Sequence, residues 1–298
     1  MDFIRKAVSL LIDAGKAWFA DRASIYAAAL AYYAIFALAP LTVVTVAIAS
    51  LFVGRAAAAG ELVDQIATVV GPEVAAFIQE TVVRMVSPES SSWPAIISAI
   101  IALIGAVFFF NHLKVTLNAI WGVRTIQIKQ MGDAFVLARS RADSLIMVFV
   151  TGLLLVGVVI LGTIFDTFRL VLEDVAPRIA ELISPVRNVL LPLVALTTFT
   201  LIFKTLPDAR VRWRDALVGA ALTTVLFTIG VFVIGRYLVQ TGTGSIYGAA
   251  SALVILLIWV YYSIQILLYG AEFTWLYAQR HGVPIGPSSA SQLAGDAG

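Results

Sequence analysis

The sequence contains no cysteine among its 298 residues, which excludes disulfide bonds, thiolate nucleophiles and cysteine-based metal sites. Its two histidines, His112 and His281, stand far apart, and neither begins a pair with metal-ligand spacing. A G-x-S-x-G element and a phosphate-binding glycine loop are also missing. These absences predict that the chain is not an enzyme and that it holds no metal and no cofactor.

Charged residues are scarce as well. They make up 13% of the chain, against 60% hydrophobic residues, and the mean hydropathy is +0.96. A soluble domain of this length needs more charge to cover its surface, so the surplus apolar residues must face lipid. The net charge of +2 is too small to predict nucleic-acid binding. We therefore expect an all-α polytopic membrane protein whose partners are membrane lipids and not nucleic acid.

Six apolar stretches are long enough to cross a bilayer as helices. They are residues 25–53, 94–113, 144–168, 185–203, 216–238 and 247–277, and they make 23–279 the transmembrane domain. Segment 1–22 is amphipathic and too polar to span, so it predicts a helix in the membrane interface. Residues 54–93 predict short amphipathic helices on the extracytoplasmic side. The Pro-, Gly- and Ser-rich tail 280–298 predicts a disordered cytoplasmic end.

Lysine and arginine residues are distributed unevenly over the connections between the predicted spans. The connections on one side, together with both chain ends, carry fourteen of them, and the opposite side carries six. Because cytoplasmic loops are enriched in positive residues, both termini are expected in the cytoplasm. Only an even number of spans places both ends on one side, which supports six.

Polar side chains inside the predicted spans are costly in lipid, so each one needs a reason. The predicted polar interior, and the candidate transport site, consists of Tyr33, Pro40, Asn111, Lys114, Asn118, Tyr261, Gln265 and Glu272. In the last span Tyr261, Gln265 and Glu272 fall within one narrow sector of a helix, which predicts a stripe facing the bundle interior. Glu272 then meets a cation or a substrate head group, or it bonds a neighbouring helix or Arg280 near the interface.

The end of the second span carries Asn111, Lys114 and Asn118 on one helical face. His112 points aside from that face. Since Lys114 and Glu272 both lie toward the same membrane side, one hypothesis pairs them as an ion pair. The alternative is a lysine that extends its ammonium group to the interface.

In the first span, Tyr33 and Pro40 are set among many alanines. Small residues permit close approach of helices, so packing is the simpler interpretation. A kink or tilt is expected at Pro40, where a freed backbone carbonyl is able to line a cavity. The predicted interior is thus bounded by Tyr33, Asn118, Gln265 and Glu272.

Four stretches of sequence carry a resemblance to a known family. They are 28–41 (with ALAYYAIFALAPL), 117–123 (LNAIWGV), 206–216 (LPDARVRWRDA) and 244–274 (with LLIWVYYSIQILLYGAEFT). With these motifs the chain resembles the YihY/BrkB family of bacterial inner-membrane proteins over residues 17–279. The resemblance implies a six-helix fold in the cytoplasmic membrane and a link with envelope integrity and resistance to host killing. Some members have carried a ribonuclease label, which the residues do not support, because no acid/base or metal constellation accompanies the basic loops.

Two functions are left open by these patterns. The first is a transporter or flippase of a lipid or other envelope component, which the polar stripe and the proline-interrupted first span favour. The second is a non-transporting membrane scaffold that binds lipids or envelope proteins through residues 60–86 and 170–184. Envelope proteins are further candidate partners, and a homo-oligomer stays open.

Overall fold

A computed structural model of the chain describes residues 2–86, 92–123, 134–175, 177–241, 251–281 and 285. Within these ranges the chain forms nine helices. They are α1 Asp2–Ala20, α2 Ala23–Val53, α3 Arg55–Val70, α4 Pro72–Val86, α5 Ser92–Ile120, α6 Ala134–Val175, α7 Pro177–Thr205, α8 Trp213–Thr241 and α9 Ser251–His281. The prediction of an all-α fold is confirmed.

Three of these helices have the length and composition of membrane spans. They contain the segments Phe149–Leu172 of α6, Trp213–Val233 of α8 and Ala252–His281 of α9. Shorter apolar segments, Ala23–Phe36, Ile104–Ile120 and Val189–Thr205, lie in α2, α5 and α7. A helix therefore occupies the position of each predicted span, while the count of six membrane crossings stays a prediction.

Helix α1 is amphipathic and packs against α9. Leu10 and Ala14 are buried together with Phe273 of α9 in a small apolar cluster. Other apolar side chains of α1 are exposed: Val8, Ile12 and Phe19. Helix α1 thus packs one apolar face against the protein and exposes further apolar side chains to lipid, as an interfacial helix requires.

Polar contacts also fasten α1 to α9. The Tyr269 hydroxyl donates to the carbonyl oxygen of Leu11 at 2.8 Å. The Arg280 guanidinium donates to Ser9 Oγ at 3.0 Å and forms an ion pair with Asp13 at 2.5 Å. Contacts at Tyr269 and at Arg280 of α9 therefore fix the position of α1.

Helices α3 and α4 are amphipathic and pack their apolar faces against the bundle. Their apolar residues Leu62, Val70, Val74 and Ile78 belong to the main core. The side chain of Glu61 is only 6% exposed, and Gln65 Nε2 donates to its Oε1 at 2.5 Å. Gly162 of α6 makes room for this carboxylate, because a methyl group at Gly162 would overlap it. The glycine thus allows a polar side chain of α3 to enter the bundle.

Helices α8 and α9 pack closely against each other. Three glycine contacts join them: Gly219 with Thr274, Gly270 with Thr223, and Gly230 with Tyr262. Residues later in α8 contact residues earlier in α9, so the two helices run antiparallel. A methyl group at any of these glycines would overlap the facing side chain, which explains how small residues bring the two backbones together.

Helix α9 extends further than the predicted span. It ends at His281, and Ile285 beyond it is buried in the main core. Residues 282–284 and 286–298 of the predicted tail 280–298, and the glycine-rich connection 242–250, lie outside the described residues.

Candidate functional site at the basic end of the bundle

One end of the bundle collects most of the described basic side chains, and we call it the basic end. It lies where α5 and α7 end, α8 begins and α9 ends. Its basic residues are Lys114, Lys204, Arg210, Arg212, Arg214 and Arg280. Three of the sequence motifs meet here: LNAIWGV closes α5, LPDARVRWRDA links α7 to α8, and GAEFT lies in α9.

The LNAIWGV motif terminates α5 and attaches it to α9. Gly122 has a φ of 62°, a left-handed conformation that glycine adopts without strain. The Gly122 amide donates to Ala119 O at 3.1 Å and the Val123 amide to Asn118 O at 2.9 Å, which is a Schellman ending. Trp121 then donates its indole N–H to Ala271 O at 3.0 Å. This bond places the end of α5 directly beside the residue that precedes Glu272.

Lys114 is the centre of a buried polar network. Its side chain is 3% exposed, and its Nζ lies 2.9 Å from Asp208 Oδ1. Asn118, one turn further along α5, donates through Nδ2 to Asp208 Oδ2 at 3.0 Å. Its Oδ1 accepts from the Asp208 amide at 2.9 Å. Each side-chain oxygen of Asp208 thus meets a donor from α5, as a buried ion pair requires.

The loop that carries Asp208 is held at several further points. Leu206 and Val211 are buried in the core on either side of it. Lys204 Nζ donates to Val211 O and lies 5.6 Å from the centre of the Trp213 ring. The LPDARVRW segment is therefore held in place by contacts with α5, α7 and α8.

The hypothesis that Lys114 pairs with Glu272 is corrected by this geometry. Lys114 forms its ion pair with Asp208, whose carboxylate lies 94 residues further along the sequence. Periodicity had placed Lys114 on the correct face of α5, but a helical pattern does not identify a partner in a loop. Asp208 was the missed residue, and its signal was the Pro-Asp step within a quoted motif.

Glu272 is buried without such a partner. Its side chain is 1% exposed, and its Oε1 has no hydrogen-bond partner among the described residues. The described group that lies beside it is the carboxyl of Asp21. Two neighbouring carboxyl groups offer their oxygens as acceptors to a bound donor.

Asp21 reaches Glu272 from the turn between α1 and α2. The next residue, Arg22, has a φ of 52°, and it is the one described non-glycine residue with a positive φ. A left-handed arginine is a strained conformation, which the surrounding packing has to maintain. Asp21 itself is exposed, so the carboxyl pair extends from the buried interior to the protein surface. Sequence reasoning missed Asp21, because a short turn carries no periodic signal.

The rest of the predicted stripe in α9 lies in different surroundings. Tyr261 packs partly buried against the main core. Gln265 lies in an apolar groove with Trp18 of α1, and its Oε1 is buried without a hydrogen-bond partner in the described part of the chain. The three residues of the predicted stripe therefore do not share one environment, and Gln265 and Glu272 meet different parts of the N-terminal region.

Tyr33 forms a contact with a residue that the sequence pattern had set aside. Its ring stacks on His112 with a centroid distance of 4.1 Å and an angle of 23°. His112 Nδ1 lies 2.8 Å from Phe108 O. Asn111 is half-buried beside it. Pro40 lies within the continuous helix α2, and its side chain is outside those that the structure describes.

The arrangement supplies hydrogen-bond acceptors at a buried position. Among the described residues, no group of three or more His, Cys, Asp or Glu side chains is arranged to hold a metal ion. A buried carboxyl oxygen without a donor is able to bind a hydroxyl, an ammonium group or a proton. Glu272, with Asp21, is therefore the candidate functional site, and the Lys114 network is its structural support.

The long apolar helices and their buried charged groups define a helical integral membrane protein. The protein family described as "Virulence factor BrkB" matches residues 15–293, nearly the whole chain. The chain therefore belongs to this family. The expected YihY/BrkB resemblance is thereby confirmed.

Several relatives are described as UPF0761 membrane proteins. The relative from Saccharophagus degradans is 29% identical over 85% of this chain and 56% of its own length. The relative from Alteromonas mediterranea is 28% identical over 85% of this chain and 82% of its own length. A relative from Tolumonas auensis is 45% identical over 28% of this chain and 29% of its own length. The chain thus spans little more than half of the first relative, and no solved structure matches it.

Proposed function

We propose that the protein is a transporter or flippase of a lipid or other envelope component in the bacterial cytoplasmic membrane. The observation that carries the proposal is Glu272, a carboxyl group that is 1% exposed and has an oxygen without a hydrogen-bond partner among the described residues. An ionisable group inside a membrane helix is expensive to bury and is retained where it binds a substrate or a coupling ion.

The position of Glu272 supports binding of a polar head group. Asp21, in the turn between α1 and α2, is exposed and lies beside Glu272. The two carboxyl groups therefore offer a ligand a polar route from the surface to the buried site. Hydroxyl or ammonium groups of an envelope lipid match these acceptors in hydrogen bonding. Lys114 is already neutralised by Asp208, so it supports the site without competing for the ligand.

We also propose the orientation and partners of the protein. The basic end, with both termini, faces the cytoplasm, because positive residues are retained on that side. Membrane lipids are the partners, with envelope proteins as further candidates, and no nucleic acid is involved. The protein works without enzymatic activity and without a cofactor.

A non-transporting scaffold for lipids or envelope proteins is the second candidate function. The exposed apolar side chains of α1, among them Phe19, favour it because they provide a surface for lipid. The apolar faces of α3 and α4, which a scaffold would present to partners, belong instead to the main core. That observation favours transport over scaffolding.

A lipid-translocation assay in reconstituted vesicles tests the proposal. The wild-type protein is expected to move fluorescent phospholipid between leaflets faster than protein-free vesicles, and Glu272→Gln is expected to abolish the gain. Glu61→Gln is the matched control, since it makes the same change at a buried glutamate that has Gln65 as a partner. Translocation that is equal in wild type and Glu272→Gln, or absent from both, contradicts the proposal.

A further inference from the structure

Three arginine side chains lie close together at the junction of α7 and α8. They are Arg210 and Arg212 in the connecting loop and Arg214 in the first turn of α8, and all three are exposed. Exposure alternates along the loop, because Ala209 and Val211 are buried in the core while the arginines that follow them face outward. Four steps of the chain span at most about 14 Å, so the three side chains share one short stretch of surface. We call Arg210, Arg212 and Arg214 the arginine surface.

The arginine surface has no acidic partner in the part of the chain that the structure describes. None of its three guanidinium groups forms an ion pair or a side-chain hydrogen bond there. The acidic residues of the same motif do not face it as free carboxylates, since Asp208 meets Lys114 and Asn118, and Asp215 is only 5% exposed. The surface therefore carries an excess of positive charge that a partner from outside the chain is able to neutralise.

Arg214 lies at the start of the side of α8 that faces lipid. Offsets of three, seven, eleven and eighteen residues keep positions on one helical face. From Arg214 these offsets lead to exposed apolar residues, which are Leu217, Ala221, Val225 and Phe232. Exposed apolar side chains of a spanning helix contact acyl chains, and an arginine at the end of such a face extends to the head groups. The arginine surface therefore lies at the level of the lipid phosphates.

Trp213 marks the same membrane level. Its side chain is 57% exposed, and Lys204 Nζ lies 5.6 Å from the centre of its ring. Tryptophan is enriched where hydrocarbon meets head groups, because its ring is apolar and its N–H is polar. The ion pair between Lys114 and Asp208 holds the loop from within. The arginines are thus presented by a backbone that is fixed in the fold.

We propose that the arginine surface binds the phosphate group of an anionic phospholipid such as phosphatidylglycerol. Guanidinium groups match phosphate oxygens in charge and in the geometry of paired hydrogen bonds. An anionic lipid is preferred to a zwitterionic lipid, because its net negative charge offsets the positive excess of the surface. The inference adds a head-group class and a binding surface to the proposed lipid partners, and it does not require transport.

Native mass spectrometry of the full chain, purified in mild detergent, tests this binding. The probes are phosphatidylglycerol and phosphatidylcholine with the same acyl chains, offered in equal amounts. An arginine near an anionic lipid surface strengthens binding by roughly five-fold. The wild-type protein is expected to retain phosphatidylglycerol in clear preference, and inorganic phosphate is expected not to displace it.

Two double variants separate the arginine surface from the charge of the whole protein. Arg210→Gln/Arg214→Gln removes two of the three charges and is expected to lower the preference by roughly 25-fold. Arg5→Gln/Lys6→Gln is the matched control, since it removes two exposed positive charges of α1 that form no ion pair with described residues. The control is expected to keep most of the preference.

Three outcomes would overturn the proposal. Equal retention of the two lipids by the wild type excludes recognition of an anionic head group. Equal losses in the two double variants would show that overall charge attracts the lipid, and displacement by inorganic phosphate would assign the surface to free phosphate. Glu272→Gln is expected to retain phosphatidylglycerol like the wild type, so a failure of transport and a failure of this surface are distinguishable.

Discussion

Lys114 and Glu272 lie at the same end of the bundle, and both are almost completely buried, at 3% and 1% exposure. Lys114 meets the Asp208 carboxylate at 2.9 Å, and Asn118 satisfies the other Asp208 oxygen. Glu272 has an oxygen without a hydrogen-bond partner among the described residues, and the described group that interacts with it is another carboxyl, Asp21. The difference separates a lysine whose charge is paired from a carboxyl with an oxygen that lacks a donor among the described residues.

The two regions are nevertheless mechanically connected. Trp121, one turn beyond Asn118, donates to the carbonyl oxygen of Ala271. The glycine contacts between α8 and α9 hold the same segment of α9 from its other side. Glu272 is therefore kept in place by neighbours that do not satisfy its side chain, which is the arrangement expected of a binding group on a rigid scaffold.

The largest effect is expected from breaking the Lys114 network. Asp208→Asn removes the negative charge with little change of shape and leaves Lys114 without that carboxylate. Removal of one partner from a buried ion pair typically lowers the free energy of unfolding by about 3–5 kcal/mol. Lys114→Met is expected to lose less, because Asp208 is 25% exposed and water solvates its remaining charge.

Titration with a denaturing detergent in mixed micelles measures these losses. Lys16→Met is the control, since the side chain of Lys16 is 74% exposed and its ion pair with Asp13 is long, at 3.4 Å. Stability of Asp208→Asn equal to that of Lys16→Met contradicts a stabilising role for the network.

A smaller loss is expected from the α8–α9 contact that holds Glu272. Gly270→Ala places a methyl group against the Thr223 hydroxyl. Overpacking of this kind lowers the free energy of unfolding by roughly 1–3 kcal/mol. Combining it with Thr223→Ala removes the overlapping hydroxyl and is expected to restore part of the loss.

Gly157→Ala gives the matched control in the same stability measurement. No atom lies within 4 Å of a Cβ at Gly157, so the methyl group meets open space. Alanine is also the better helix former, so this variant is expected to be as stable as the wild type or more stable. Equal losses at Gly270 and Gly157 would show that the close crossing is not the cause.

Glu272→Gln is expected to change stability little, in contrast to the same carboxylate-to-amide change at Asp208. Its free energy of unfolding stays within about 1 kcal/mol of the wild type or rises, because the change breaks no ion pair and removes the repulsion between Glu272 and Asp21. The detergent titration used for Asp208→Asn measures both variants side by side. A loss at Glu272 as large as that at Asp208 would mean that Glu272 is also a structural charge.

The smallest effect concerns the ion pair that fastens α1. The hydrogen bond from Arg280 to Asp13, reinforced by Lys16, holds the pKa of the Asp13 carboxyl below its ordinary value. The contribution is therefore complete above the ordinary pKa of about 3.9 and is lost as the pH falls through the lowered value. The stability difference between wild type and Asp13→Asn is expected at neutral pH and should disappear in strong acid. A difference that persists there excludes this titration as its origin.

Much of the fold follows from local pattern, because apolar stretches and helical periodicity depend on neighbouring residues. The six long helices, the amphipathic α1 and the buried position of Glu272 were predicted in this way. The Lys114–Asp208 pair was not, since it joins a helix to a loop 94 residues away in sequence. The burial of Glu61 was missed for a related reason, because the space for it is created by Gly162 on another helix.

The central claim is that Glu272 serves a ligand while Lys114 serves the fold. Lipid translocation per folded protein, measured for Glu272→Gln and for the double variant Lys114→Met/Asp208→Leu, tests it most directly. The double variant removes the whole ion pair and leaves no unpaired charge, although Asn118 Nδ2 loses its acceptor, so translocation is compared per folded protein. The account predicts translocation close to wild type in the double variant and none in Glu272→Gln. Translocation by Glu272→Gln at the wild-type rate would contradict it.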